Sequence, residues 1–143
     1  FSVSIGNEAS VEWSDHMVPV KNLVAYAKKI KQHISQPVTF CENYVPWTYK
    51  LEPLAEVLDF ISVHTYPAWE YRNIEDALEY TKQNYHDVVH HYPGKQVVIT
   101  EAGWTTRRSG GTRRGRRASR MASISSRKGP MRRCLACCTK RPL

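Results

Sequence analysis

Apolar residues fall along the first hundred positions in two alternating rhythms. Short, nearly continuous apolar runs occupy Phe1–Ile5, Val38–Cys41, Phe60–His64 and Gln96–Glu101. They are rich in Val, Ile, Phe and Thr and mostly flanked by Gly, Asn or Pro, which predicts strands covered on both faces. Between them the apolar residues recur every third or fourth position. Val20, Leu23, Val24, Ala27, Ile30 and Ile34 predict an amphipathic helix of about 18 residues, with Ser14-Asp15 offering its N-cap. Lys21, Lys28, Lys29 and Lys31 lie on its outer face. A turn through Asn43–Trp47 leads to a shorter helix marked by Leu51, Leu54, Ala55 and Leu58. A third, capped by Asn73 and closed by Pro93-Gly94, carries Ile74, Ala77, Leu78, Thr81, Tyr85, Val88 and Val89 on one face. The order is β-α-β-α-β-α-β. Helical crossovers between consecutive strands require parallel pairing and an α/β class. An open doubly wound sheet and part of a closed (β/α)8 barrel both fit this pattern.

The rhythm stops after Thr106, and the charge changes with it. Residues 1–106 hold all 13 acidic residues and 8 of the 21 Lys and Arg, a formal charge of −5. Residues 107–143 hold the other 13 basic residues and no acid, a charge of +13. The overall basic balance therefore belongs to the second segment and says nothing about the partners of the first. That segment has Arg-Arg pairs, Ser, Gly and Ala but no apolar period, so disorder is expected. Two origins compete for it. It has the charge to bind nucleic acid through phosphates, yet almost no aromatics to stack bases. The abrupt, acid-free composition instead favours a shifted reading frame over a native continuation. Residues 1–106 are thus expected to be the domain. The start at Phe1, inside a strand signal, adds the expectation that upstream sequence is missing.

Cys41 is the single cysteine of residues 1–106 and reads as a small buried hydrophobe; no disulfide framework is implied and the compartment stays open. Cys134, Cys137 and Cys138 lack a second ligand pair for zinc. His86, His90 and His91 have no carboxylate partner pattern, so no metal site is expected there. No apolar run approaches the roughly 20 residues that span a bilayer.

In parallel α/β folds functional side chains stand at the carboxyl ends of strands. Glu8 lies just past the first strand and Glu101 ends the fourth, 93 residues on, which is three βα units. In a closed barrel, strands three positions apart face each other across the mouth. Two carboxylates can then approach the roughly 5 Å separation of a retaining glycosidase.

Three motifs add a resemblance. Ile5-Gly-Asn-Glu8 resembles the Asn-Glu motif that ends the fourth strand in the large glycosidase clan of (β/α)8 barrels. Val63-His-Thr-Tyr-Pro67 and Thr100-Glu-Ala-Gly-Trp104 resemble the sixth- and seventh-strand segments of glycoside hydrolase family 17. The resemblance covers about residues 1–106 and implies strands four to seven of a barrel. It implies Glu8 as general acid/base, Glu101 as nucleophile, and hydrolysis of a β-glucan, expected to be β-1,3-linked, by double displacement. Transglycosylation with the same carboxylates is the alternative.

It further implies that Asn7 holds the sugar 2-OH and Tyr66 orients the nucleophile. Trp104, Trp69, Trp13 and Trp47 follow strand ends, where indole faces can stack on sugar or simply pack. His64 is expected to line the cleft, and Glu42 with Asn43 to meet sugar hydroxyls or form the turn into the next helix. No cofactor or metal is called for. A four-strand portion leaves edges unpaired, so weak stability and little turnover are expected of this chain alone.

Overall fold

A computed structural model describes residues 1–104; the expectations for residues 107–143 lie outside them. The elements are β1 (Val3–Asn7), α1 (Val20–Lys31), β2 (Val38–Asn43), α2 (Tyr44–Trp47), α3 (Glu52–Ala55), β3 (Ile61–Thr65), α4 (Ala77–His91) and β4 (Val97–Ala102). The four strands form one sheet in chain order, and every neighbouring pair is parallel. Each crossover carries helix, as the alternating pattern demands.

The sheet has a dry face and a polar one. Val38, Phe40, Ile61, Val63 and Val97 pack with Leu23 and Ala27 of α1, Leu54 and Ala55 of α3, and Val88 of α4. Trp47 is fully buried there, edge-on to Phe40 and Tyr92, and its Nε1 donates to Ser62 O. Its side chain is core, which removes it from the candidate sugar platforms. The opposite face is lined by Ser4, Thr39, Cys41, Ser62, Val98 and Thr100 around an open concavity of about 550 Å³.

Helix boundaries depart from the periodic pattern where proline intervenes. The first helix begins only after Pro19, whose backbone is extended at φ −58° and ψ 139°. A residue preceding proline avoids the helical region, so the run from Ser14 cannot continue through Val18-Pro19. The helix consequently has 12 residues. The expected second helix is two four-residue turns of helix, one holding Pro46 and the other starting beside Pro53. Asn43 caps the first of these, its side chain accepting a bond from Val45 N at 2.9 Å. The last helix starts at Ala77, four residues beyond Asn73.

Candidate active site

Two irregularities in the sheet aim the strand-end residues. Along β1, Ser4 pairs with Thr39 but Asn7 pairs with Cys41, so β1 spends one residue more than β2. Along β4, Ile99 pairs with Val63 but Glu101 pairs with His64, leaving Thr100 extra. A bulge of this kind breaks the alternation of side chains and redirects the residues beyond it. Glu101 is thereby brought alongside His64. Beyond β1, Glu8 has φ of +44°, a left-handed conformation costing a non-glycine residue of order 1–2 kcal/mol. Its N–H still donates to Cys41 O at 2.9 Å.

The result is a convergence of three groups. One carboxylate oxygen each of Glu8 and Glu101 and one ring nitrogen of His64 lie within 4.8 Å of one another. His64 Nδ1 is 3.1 Å from Glu8 Oε1 and 3.5 Å from Glu101 Oε2. The Tyr66 hydroxyl donates to Glu101 Oε2 at 2.7 Å. Trp69 stacks on Tyr66, with centroids 4.4 Å apart. Gly103 lies against the same tyrosine, since a Cβ there would stand 3.1 Å from Tyr66 Cε1.

His64 corrects one expectation. Its side chain is completely buried, so it bridges the carboxylates and does not present itself to a sugar. Burial works against a charged ring here, yet neighbouring Cys41 and the two carboxylates outweigh it and raise the pKa to about 9. By strict hydrogen-bond geometry Nε2 has no partner among the described residues. The same histidine lowers the pKa of the Cys41 thiol, against the effect of burial. Cys41 is half-buried and lines the polar face, unlike the inert core residue its apolar run suggested.

Glu42 is the second correction. Its side chain is fully buried, and its oxygens accept from Ser10 N and Oγ and from Asn43 N at 2.7–2.9 Å. It faces protein and cannot meet sugar hydroxyls. Burial raises its pKa although those bonds oppose the shift, and the charge of Glu8 adds to the rise.

Asn7 remains exposed at the end of β1, while Trp13 and Trp104 are exposed further along the strand-end loops. Trp69, as the partner of Tyr66, is half-buried. Glu8, His64 and Glu101 are the group among the described residues whose spacing suits a cation; His86 and His90, with ring centroids 6.2 Å apart, are not part of it. The protonated imidazole itself supplies the positive charge between the carboxylates. Ser10, Cys41 and Gly103 were missed as contributors to the site. Only Gly103, two residues after a strand-end glutamate, carried a sequence signal.

Parallel βα units with two carboxylates at the carboxyl ends of the strands are the architecture of part of a (β/α)8 barrel, the fold class of many glycoside hydrolases. A family model described as the BtgE/BtgC glycoside hydrolase domain matches residues 1–134, and the chain belongs to that family. The match continues past Thr106 into the basic segment. No curated protein matches the chain.

Solved structures agree on the architecture. A glycoside hydrolase family 17 β-1,3-glucanosyltransferase from Rhizomucor miehei is 29% identical with a TM-score of 0.56, covering 62% of this chain and 33% of that one. An active-site mutant of the Rhizomucor miehei β-1,3-glucanosyltransferase, in complex with laminaritriose, is 28% identical with a TM-score of 0.56 and the same coverage. An endo-laminarinase from Formosa Hel1_33_131, at 20% identity and TM-score 0.57 over 73% of this chain and 37% of that one, shares the fold. The chain spans about a third of the length of these proteins. The expected resemblance to family 17 and the barrel-type α/β class both hold. No helix of the described residues is long and apolar enough to cross a membrane.

Proposed function

We propose that this chain carries the catalytic pair of a retaining glycosidase acting on β-glucan, with Glu101 as nucleophile and Glu8 as general acid/base. The observation that supports this most is the approach of the two carboxylates to within 4.8 Å at their nearest oxygens. Retaining enzymes hold the pair about 5–5.5 Å apart, whereas inverting enzymes leave roughly 6.5–9.5 Å for a water. Glu101 attacks the anomeric carbon and forms a glycosyl-enzyme while Glu8 protonates the leaving oxygen. Glu8 then takes a proton from the incoming water or sugar hydroxyl as the glycosyl-enzyme bond breaks. Tyr66 donates to Oε2 of the nucleophile and keeps the carboxylate in one rotamer. Asn7, exposed beside Glu8, is the group we assign to the sugar 2-OH.

Water and a second sugar are both competent acceptors with these carboxylates. The 28–29% identity to a β-1,3-glucanosyltransferase favours a β-1,3-glucan donor and keeps transfer beside hydrolysis. The site-bearing portion in this reading is residues 1–106, although the family match extends to residue 134. Translating the gene in its other two frames beyond codon 106 tests whether the basic segment is the native continuation.

The test of the chemistry is trapping. A 2-deoxy-2-fluoro β-glucosyl donor with a good leaving group is incubated with the 143-residue chain, and peptides are read by mass spectrometry. A glycosyl adduct on Glu101, absent from Glu101→Gln, is the expected result. An adduct elsewhere, or none while a family 17 enzyme under the same conditions is labelled, overturns the assignment in this chain.

A further inference from the structure

We infer that Glu42 is a positioning residue for Glu8, holding the loop after β1 in the conformation that turns Glu8 towards His64 and Glu101. The inference rests on the reading of Glu8 as the acid/base and adds the group that fixes it. Glu8 departs from ordinary backbone geometry at φ +44°. A non-glycine residue stays in that region only when its surroundings over-determine it. The restraints therefore have to come from the residues on either side.

They do, and most of them trace to the end of β2. Before the turn, Glu8 N donates to Cys41 O at 2.9 Å. Two residues later Ser10 gives both its N–H (2.9 Å) and its hydroxyl (2.7 Å) to Glu42 Oε2. The other oxygen, Oε1, accepts from Asn43 N at 2.7 Å, so the carboxylate is fastened to its own strand end as well. Lys50 Nζ donates to Ser10 O at 2.5 Å, and Val18 N to Ala9 O at 2.7 Å. Ser10 and Glu42 are both buried, where bonds to an ionised acceptor are strong and no water replaces a lost one. Cys41 and Glu42 thus grip the backbone on both sides of Glu8, and only the Glu42 grip depends on a side chain.

The chemistry of the bond set requires a carboxylate. Both oxygens act solely as acceptors, from three donors. Glutamine has the same shape but one of its two terminal atoms is a donor, so it would set an NH₂ against an N–H at Ser10 or Asn43. A buried glutamate that merely filled space would tolerate that change locally.

NMR of the 143-residue chain tests this without turnover. Wild type should show the strong intraresidue HN–Hα NOE of a positive-φ residue at Glu8 and slow amide exchange at Ser10. In Glu42→Gln the NOE weakens to that of an ordinary residue, and exchange at Ser10 and Glu8 quickens at least tenfold, while the Val63 amide in β3 keeps its rate. Where Glu42→Gln does not fold, Ser10→Ala removes one of the three donors with the carboxylate in place and should quicken exchange at Glu8 several-fold. Unchanged NOE and exchange at Glu8 in the variant that folds overturn the inference. Failure of Glu101 trapping with these NMR changes present removes the catalytic reading but leaves Glu42 as the holder of the loop; the converse separates equally.

Discussion

The two strand ends that carry the proposed catalytic pair reach the same place by different physical means. At the β1 end the backbone carries the load: an extra residue in the strand, a left-handed Glu8, and a loop bonded to Glu42 and Cys41. At the β4 end the backbone is a strand with one bulge, and side chains position the carboxylate. Tyr66 holds Glu101 Oε2, while Trp69 stacks on that ring and Gly103 leaves room for it. The difference suits the assigned roles. A nucleophile needs one fixed rotamer aimed at carbon, which a phenol bond supplies. An acid/base serves both the leaving group and the acceptor, so fixing its main chain and leaving the side chain to one shared contact is sufficient. His64 is where the two ends meet.

Removing His64 should have the largest effect because it breaks both ends together. His64→Ala deletes a buried ring and leaves two carboxylates facing each other without the contact they share, at a cost of roughly 3 kcal/mol in urea unfolding. His64→Asn, whose amide N–H can stand near the position of Nδ1, should recover more than half of that. The sign of the pH dependence comes from a folded-state pKa of about 9, raised above the ordinary 6.5. Its contribution is present in full below about pH 6.5 and is lost as pH rises through 9. The advantage of wild type over His64→Asn should therefore be largest near pH 6 and shrink towards about pH 9. A constant or growing difference means that the ring does not carry the charge.

A smaller, one-sided effect is expected from Tyr66→Phe. Losing the bond to Glu101 should cost about 1.5 kcal/mol, at the low end for a charged acceptor because Glu101 is partly exposed. The Glu8 HN–Hα NOE should stay as in wild type. A change at Glu8 would mean that the two ends are coupled and the division between them is wrong. Least of all, Gly103→Ala should cost about 1 kcal/mol by pushing a Cβ against the Tyr66 ring. Combined with Tyr66→Phe it should still cost something, since the ring stays. Full loss of the alanine effect in the double variant would place the hydroxyl, not the ring, at fault.

Much of the fold was legible because strands and helices are written in local periodicity. The four strand segments match their sequence signals within two residues at each end, and the parallel order is a consequence of alternation. Pro19, Pro46 and Pro53 moved the helix boundaries; each acts through backbone sterics that an apolar period does not register. At the candidate site, Glu8 and Glu101 were singled out because they stand at strand ends and fit the family 17 motifs, and Tyr66 through its motif resemblance alone. Glu42 and His64 occupy the same kind of position and were assigned to sugar binding on that ground. Burial reversed both assignments: Glu42 faces the loop after β1, and His64 lies beneath the carboxylates.

By itself the sequence determined the α/β class, the parallel order and which two acids end their strands, since all three depend on residues close together in the chain. Tertiary structure alone decided that Glu8 and Glu101 share one imidazole, and that Glu42 serves the backbone. Those outcomes depend on single-residue bulges and on burial, and a bulge shifts a side chain from one face to the other without altering the pattern of residue types that announces the strand.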